Sequence, residues 1–160
     1  MITGAKMDSE SRILEGYVNL PYRWAMGKTT TRFFEEFKNK RIMGSKCPKC
    51  KRVLIPARSF CSNCFQEIDN WIEVGQEGEV KTWVAVNFSY ENQPKTPPYL
   101  VGMIQLDGSD VALPHFIGGV PLDNFDETAK QVRIGGRVKA VWKKIRNGDI
   151  LDIDYFVPID

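Results

Sequence analysis

The sequence is poor in the residues and motifs on which catalytic sites are commonly built. It contains one histidine, His115, and it has no GxSxG nucleophile elbow, no Walker-type glycine loop and no GxGxxG fingerprint. A serine–histidine pair or a metal-hydrolase site would therefore depend on this one side chain. Because His115 stands between Pro114 and Phe116 in a predicted strand, a packed imidazole is favoured over a catalytic one. We expect a protein that is not itself an enzyme.

Long apolar segments are also missing. No run approaches the ~20 apolar residues of a membrane-spanning helix, and the opening sequence MITGAK lacks the hydrophobic stretch of a signal peptide. Charge is present but uneven: residues 1–64 contain 13 Lys and Arg against 5 Asp and Glu, whereas residues 65–160 contain 9 against 15. We expect a cytoplasmic protein. The uneven charge predicts a basic front and an acidic back. The alternative is that the charged residues only keep two separate modules solvated.

The cysteines form two CxxC pairs about a dozen residues apart: Cys47 with Cys50, and Cys61 with Cys64. In each pair, two sulfurs of one tight turn can reach a single ion, and two such turns joined by a short hairpin complete a tetrahedral shell of four thiolates. This spacing is that of a zinc ribbon or of a rubredoxin-like pair of knuckles. Zinc is the expected metal, and it would be structural because four protein ligands leave no open coordination position.

Two alternatives to structural zinc remain at this point. Iron in the same site would make the chain an electron carrier, recognisable from a red preparation. Two disulfides would need no metal, although nothing marks the chain as secreted. Knuckles of this kind usually carry glycine just after the second cysteine, but this chain has Lys51 and Phe65, which adopt a left-handed conformation only at a steric cost.

The first part of the chain, residues 1–43, is predicted to be an irregular arm followed by a helix. Pro21 and Gly27 mark the arm as a loop, Thr29–Thr31 supplies N-cap candidates, and Gly44 provides a stop just after Met43. An apolar stripe on this helix is typical of a face that packs on a core, and it consists of Phe33, Phe34, Phe37 and Ile42.

Residues 44–72 are assigned to the ribbon and residues 73–160 to a β domain. Alternation through Val80, Thr82, Val84 and Val86 predicts a strand at Glu79–Phe88. Apolar segments between turn signals predict further strands and one short helix, in the order Tyr99–Leu106, Val111–Ile117, the helix Asp123–Val132, Arg137–Lys144 and Ile150–Val157. This order of elements is that of a five-stranded OB-fold barrel. An open sheet and an SH3-like barrel are the alternatives. The expected fold class is therefore mainly β with an N-terminal helix, as a zinc ribbon followed by an OB-fold.

Local signals give further expectations for the β domain. Asn147-Gly148 is a type I′ turn signal and predicts a tight hairpin between the last two strands. Asp152 and Asp154 alternate with apolar residues on the last strand, which predicts a solvated face rather than an acid–base pair. Pro114 predicts an edge position or a bulge.

A series of short motifs runs through the chain from about residue 20. They are Pro21-Tyr22-Arg23-Trp24, Gly27, Arg32-Phe33-Phe34, the two CxxC pairs, Pro56-Ala57-Arg58, Phe60, Trp71, Gly78, Pro98-Tyr99 and Phe156-Val157-Pro158. In this order they resemble the domain of unknown function 35 family, in which a rubredoxin-like zinc ribbon precedes an acyl-CoA-associated OB-fold.

This resemblance implies a non-catalytic accessory protein. Members of the family are associated with thiolases and, in archaea, with hydroxymethylglutaryl-CoA synthase. Others accompany enzymes of lipid and steroid degradation. By analogy the chain would be a scaffold that bridges consecutive CoA-thioester enzymes and binds coenzyme A or an acyl-CoA, so that the intermediate need not diffuse away.

The basic, aromatic front offers side chains for such a ligand. Arginine and lysine suit the phosphates of CoA, and aromatic faces suit its adenine. The candidate residues are Tyr22, Arg23, Trp24, Lys28, Arg32 and Arg41. Arg23 and Trp24 are the first choice, and the alternative is that they only pack the arm onto the ribbon.

Nucleic acid is the alternative ligand. OB-folds bind single strands through aromatic platforms in a positively charged groove. Here the predicted OB portion carries the acidic balance, which opposes affinity for a phosphate backbone. Nucleic-acid binding is therefore less expected than a role beside CoA-thioester enzymes.

Overall fold

The computed structural model describes residues 22–159. Its elements, in chain order, are α1 (Gly27–Glu35), a 3₁₀ turn (Glu36–Asn39), β1 (Met43–Lys46), β2 (Val53–Leu54), β3 (Trp71–Glu73), β4 (Glu77–Val86), β5 (Tyr99–Leu106), β6 (Leu113–Ile117), α2 (Phe125–Gln131), β7 (Arg137–Trp142), a second 3₁₀ turn (Ile150–Asp152) and β8 (Ile153–Pro158). No helix in this part of the chain is long and apolar enough to cross a membrane.

The strands form two sheets. The first is a small antiparallel sheet in the order β2-β1-β3, in which Ser45 of β1 pairs with both neighbours. The second is a closed barrel in the order β4-β5-β6-β8-β7. With α1 in front, this arrangement confirms a mainly β protein in which a ribbon precedes a five-stranded OB-fold.

Barrel closure depends on the beginning of β4, where Glu77–Glu79 pairs with β7 while the same strand pairs with β5. Gly78 stands between the two partner strands, opposite Leu106 and Val138. A Cβ atom on Gly78 would lie 2.5 Å from the carbonyl oxygen of Gln105, so the strands approach too closely for any other residue.

One apolar core extends from the N-terminal helix into the barrel. Phe33, Phe37 and Ile42 are fully buried in it together with barrel residues such as Phe156. The ring of Phe37 meets that of Trp142 edge-on, with 5.4 Å between centroids. Since burial of such a side chain is worth about 1.5–3 kcal/mol, the predicted apolar stripe is the surface that fixes the helix to the barrel.

The helix itself is shorter than predicted. It begins at Gly27 with Met26 at the N-cap and no side-chain cap, so the prediction that Thr29–Thr31 caps it is wrong. It also does not reach Met43, because the chain tightens into the 3₁₀ turn. Lys40 then adopts a left-handed conformation (φ 57°), and its amide donates to the carbonyl groups of Glu36 and Phe37. Met43 instead begins β1.

The connection between β7 and β8 also differs from the prediction. Gly148 has a positive φ of 82°, but Asn147 does not, so a type I′ turn is absent here and the strands are not joined by a tight hairpin. Asp152 is buried rather than solvated, and its carboxylate accepts hydrogen bonds from the amides of Asn147 (2.8 Å), Gly148 (2.7 Å) and Asp149 (3.3 Å). The Asp152 carboxylate thus holds residues 147–149 of the connection in place.

The ribbon is attached to the barrel by a reciprocal pair of hydrogen bonds. The Val53 amide of β2 donates to the Asp110 carboxylate (2.8 Å), and the Asp110 amide donates to the Val53 carbonyl (3.0 Å). Val111 packs against the small apolar cluster that contains the buried cysteines. The turn between β5 and β6 is thus a direct contact between the two sheets.

Candidate metal centre and basic surface

The two CxxC turns repeat one backbone geometry. In the first, the Cys47 amide donates to the Arg52 carbonyl (2.9 Å) and the Lys51 amide donates to the Cys47 carbonyl (3.0 Å). In the second, the Cys61 amide donates to the Gln66 carbonyl (2.9 Å) and the Phe65 amide to the Cys61 carbonyl (2.9 Å). Two equivalent turns therefore present their sulfurs toward one point.

Both turns need a left-handed residue just after the second cysteine. Lys51 has a φ of 64° and Phe65 a φ of 54°, at the positions where glycine is the unstrained choice. The steric cost expected from the sequence is therefore present in the fold. Metal–thiolate bonds formed on binding an ion are expected to outweigh this cost.

The four sulfur atoms lie at the spacing of a tetrahedral metal site. All are within 4.8 Å of one another, with 3.4 Å between Cys47 and Cys64 and 3.5 Å between Cys50 and Cys61. Zn–S bonds of about 2.3 Å would place the sulfurs roughly 3.8 Å apart. Cys47 and Cys61 are buried and the other two are half-buried. This donor set fits structural zinc, and none of the four thiols forms a disulfide.

The thiols differ in their pKa values. Burial would raise the pKa of Cys47, but hydrogen bonds from the backbone amides of Cys50 and Lys49 and from neighbouring thiols lower it to about 6. The hydrogen bond to the Cys47 sulfur, together with burial, raises the pKa of Cys64 to about 12. A metal ion binds the thiolate forms of cysteine. We therefore expect metal binding to release the protons that the thiols still hold, and the metal affinity to fall at low pH.

The arm before α1 exposes large aromatic side chains. Tyr22 is 80% and Trp24 61% exposed, and Arg23 between them is exposed as well. Tyrosine, tryptophan and arginine are the residue types enriched in the energetic centres of protein interfaces. With 61% of its surface exposed, Trp24 is at most partly packed against the rest of the described chain.

The three other predicted contact residues, Lys28, Arg32 and Arg41, do not all lie together. Lys28 and Arg32 are four residues apart on α1 and therefore on one face of it, next to the arm. The Arg32 guanidinium lies 4.4 Å from the centre of the Trp71 ring, so it is stacked on the ribbon sheet. Arg41 is beyond the far end of α1 and forms an ion pair with Glu36. The candidate aromatic and basic surface is therefore the exposed segment that includes Tyr22, Arg23, Trp24, Lys28 and Arg32, which are close to one another in the chain.

A second concave surface was not predicted from the sequence. A groove of about 340 Å³ runs over the outer face of β5 and β6, between the loop of residues 87–98 and the second 3₁₀ turn. Its lining includes Tyr90, Tyr99, Val101, Phe116 and Leu151. Tyr99 and Phe116, one aromatic residue on each of the two strands, were the signal available in the sequence, and aromatic residues in strands are equally typical of a core.

His115 forms part of the groove wall and is fully engaged. Its Nδ1 accepts a hydrogen bond from the Phe116 amide (2.9 Å), so Nε2 carries the proton that is donated to the Ile150 carbonyl (2.9 Å). Burial lowers the pKa of this imidazole. Both nitrogens therefore serve the structure, as the sequence context predicted.

Comparisons with known proteins agree with this architecture. Residues 34–68 match the family model described as the ChsH2 rubredoxin-like zinc ribbon domain, and residues 71–143 match that of the ChsH2 C-terminal OB-fold domain. Two relatives, each named "DUF35 domain-containing scaffold protein", are 27% identical to this chain. The Methanocaldococcus jannaschii protein aligns over 74% of this chain and 82% of its own length, and the Pyrococcus furiosus protein over 78% and 87%.

Two solved structures share the fold. One, described as an "Ltp2-ChsH2(DUF35) aldolase", has a TM-score of 0.63 and 21% identity and covers 85% of this chain and 98% of that chain. The other, a Sulfolobus solfataricus protein of unknown function from the DUF35 family, has a TM-score of 0.56 and 28% identity and covers 72% and 78%. The four-cysteine ribbon, the barrel that follows it and these matches show that the chain belongs to the domain of unknown function 35 family.

Proposed function

We propose that this protein is a non-catalytic scaffold that binds coenzyme A or an acyl-CoA and bridges enzymes acting on CoA thioesters. Thiolase-like and hydroxymethylglutaryl-CoA synthase-like enzymes are the proposed partners. Both archaeal relatives are named scaffold proteins, and the name of one similar structure joins a domain of this family to an aldolase. These names support an accessory role beside an enzyme.

The observation that carries the proposal is the exposed Tyr22-Arg23-Trp24 segment. An exposed tyrosine and tryptophan beside an arginine offer the side chains that dominate binding energy at protein interfaces. The same groups suit CoA, because guanidinium groups pair with phosphates and an indole stacks on adenine. Arg32 supports this role, since a guanidinium stacked on Trp71 keeps its N–H edge available for an anion.

The remaining chemistry favours a scaffold over an enzyme. A metal bound by four cysteines has no open position for a substrate or a water molecule. Within residues 22–159, these cysteines form the one cluster that could hold a metal ion, and the single histidine uses both of its ring nitrogens in the structure.

The test is co-purification of the tagged protein from its native cells at moderate salt. A thiolase-like or synthase-like enzyme recovered in near-equal amount supports the proposal. Recovery of nucleic acid that is lost at high salt contradicts it and favours nucleic-acid binding instead. Titration of the purified complex with coenzyme A then shows whether the ligand needs the partner.

The placement of the site is tested with a matched pair of double variants. Arg23→Ala with Trp24→Ala should weaken partner or CoA binding by at least about tenfold, the effect of removing interface anchors. Arg133→Ala with Ile134→Ala removes an equally exposed arginine and apolar side chain elsewhere and should leave binding unchanged. Metal content and melting temperature should be the same in both. Equal binding by the two variants would exclude the arm as the contact.

A further inference from the structure

The groove over β5 and β6 has the size and lining of a small-molecule site. Its volume of about 340 Å³ lies at the lower end of the range of roughly 300–1,000 Å³ typical of ligand pockets. Since a water molecule occupies about 30 Å³ of liquid volume, the groove has room for about ten methylene-sized groups. It is too small for a folded partner but suits a medium-length chain or a compact ring system.

Few free polar atoms face the interior of this groove. Both nitrogens of His115 are bound to the backbone, as described above. The Tyr99 hydroxyl accepts a hydrogen bond from the Gln93 side chain (3.1 Å), which also donates to the Phe88 carbonyl (3.0 Å). The loop above the groove is thereby tied to its wall. What remains for a ligand is mainly the faces of aromatic rings and aliphatic side chains.

Lys95 places a positive charge beside the groove, against the ring of Phe116. The ammonium group of Lys95 lies 4.9 Å from the centre of the Phe116 ring and 5.8 Å from that of Tyr155. It takes part in none of the ion pairs formed within residues 22–159. An ammonium group held on aromatic faces beside an apolar groove favours a ligand whose apolar body ends in an anionic or carbonyl oxygen.

We propose that this groove binds an apolar group of about ten carbons whose carboxylate or thioester carbonyl contacts Lys95. A free carboxylic acid and the acyl group of a thioester share this chemistry. Only the thioester form rests on the proposed scaffold function, in which it would hold the acyl group of the shared intermediate. The phosphates of CoA would lie outside the groove.

The experiment is a titration of the full-length, metal-loaded protein, followed by calorimetry and by amide shifts in ¹⁵N-labelled protein. The probes are decanoate, decanoyl-CoA, acetyl-CoA and coenzyme A. Decanoate and decanoyl-CoA should shift the amides of Val101, Phe116 and Leu151, and decanoyl-CoA should bind at least about tenfold more tightly than acetyl-CoA, because longer chains bury more apolar surface.

Two variants with matched controls test the contacts. Leu151→Asp places a charge on the half-exposed groove rim and should weaken decanoate binding at least about tenfold. Ile145→Asp changes a more exposed residue that does not line the groove and should have no effect. Lys95→Glu should weaken binding of the carboxylate, whereas Lys130→Glu should not.

The outcomes separate this inference from the proposed function. If all CoA compounds bind equally and the groove amides do not shift, the inference is wrong while the scaffold proposal stands. If decanoate occupies the groove but coenzyme A binds nowhere, the groove assignment is supported and the CoA part of the proposed function fails. Decanoate binding that is insensitive to Leu151→Asp and Lys95→Glu would overturn the inference.

Discussion

At the scale of single residues, Lys51 and Phe65 in the CxxC turns carry backbone strain that glycine at the same positions would not have. A left-handed backbone costs a residue with a side chain about 1–2 kcal/mol. Phe65 is also 84% exposed, so its ring gains little from burial. Phe65→Gly is therefore expected to stabilise the metal-loaded protein by about 0.5–1 kcal/mol, after the greater flexibility of glycine in the unfolded chain is subtracted. Denaturant unfolding at saturating zinc measures this.

The control for this prediction lies in the same turn. Ser62 is exposed and does not have a positive φ, so glycine there relieves no strain. Ser62→Gly should destabilise the protein by about 0.5–1 kcal/mol. If both glycine substitutions lower stability alike, the strain at Phe65 is not what limits the turn.

At the scale of elements, the connection between β7 and β8 depends on one buried carboxylate. Asp152→Ala removes the acceptor for three backbone amides of that connection and leaves them without partners. We expect a loss of about 2–3 kcal/mol in the free energy of unfolding. Asp154→Ala, a half-exposed position two residues away, should change it by less than about 0.5 kcal/mol. Similar losses in thermal unfolding of the two variants would contradict this assignment.

The same elements show which features of the fold the sequence alone could predict. The spacing of the four cysteines predicted their convergence, and an apolar segment followed by the Asp107-Gly108 turn predicted β5 to its observed ends, Tyr99–Leu106, because both signals are local. The end of α1 and the form of the last connection were wrong. The left-handed turn at Lys40 depends on how the chain enters the ribbon sheet, and Asp152 folds inward because the amides of the connection bind it. Neither contact follows from a sequence pattern.

The candidate sites divide in the same way. Four cysteines identify a metal centre because the spacing itself determines the geometry. The arm was found through its composition, and its role in ligand binding remains a prediction. The groove was missed because Tyr99, Phe116 and Leu151 come from three separate elements, and only the closed barrel brings them together.

At the scale of the whole molecule, we expect metal binding in the ribbon to raise the stability of the barrel. The reciprocal hydrogen bonds between Val53 and Asp110 join the two sheets. Removing the metal with a chelator is therefore expected to unfold the ribbon and also to lower the melting temperature of the barrel. In Asp110→Ala, the difference in barrel melting temperature between metal-loaded and metal-free protein should shrink.

Asp107→Ala provides the matched comparison in the same turn. Asp107 forms a bidentate ion pair with Arg137 of the barrel (2.8 and 2.6 Å), and the Arg137 hydrogen bonds hold the pKa of that carboxyl below its usual value. Because this ion pair is partly exposed, Asp107→Ala should lower the stability only slightly, and by the same amount with or without metal. If Asp107→Ala and Asp110→Ala reduce the metal effect equally, the junction is not specific to Asp110.

The junction at Asp110 also has a consequence for metal affinity. Free-energy coupling between two sites is reciprocal, so whatever the ion adds to the stability of the barrel, the folded barrel adds to the affinity for the ion. A substitution that loosens the barrel far from the cysteines would then make the protein easier to strip of metal. A competitive zinc indicator would therefore report on the folding of the OB domain without any probe placed inside it.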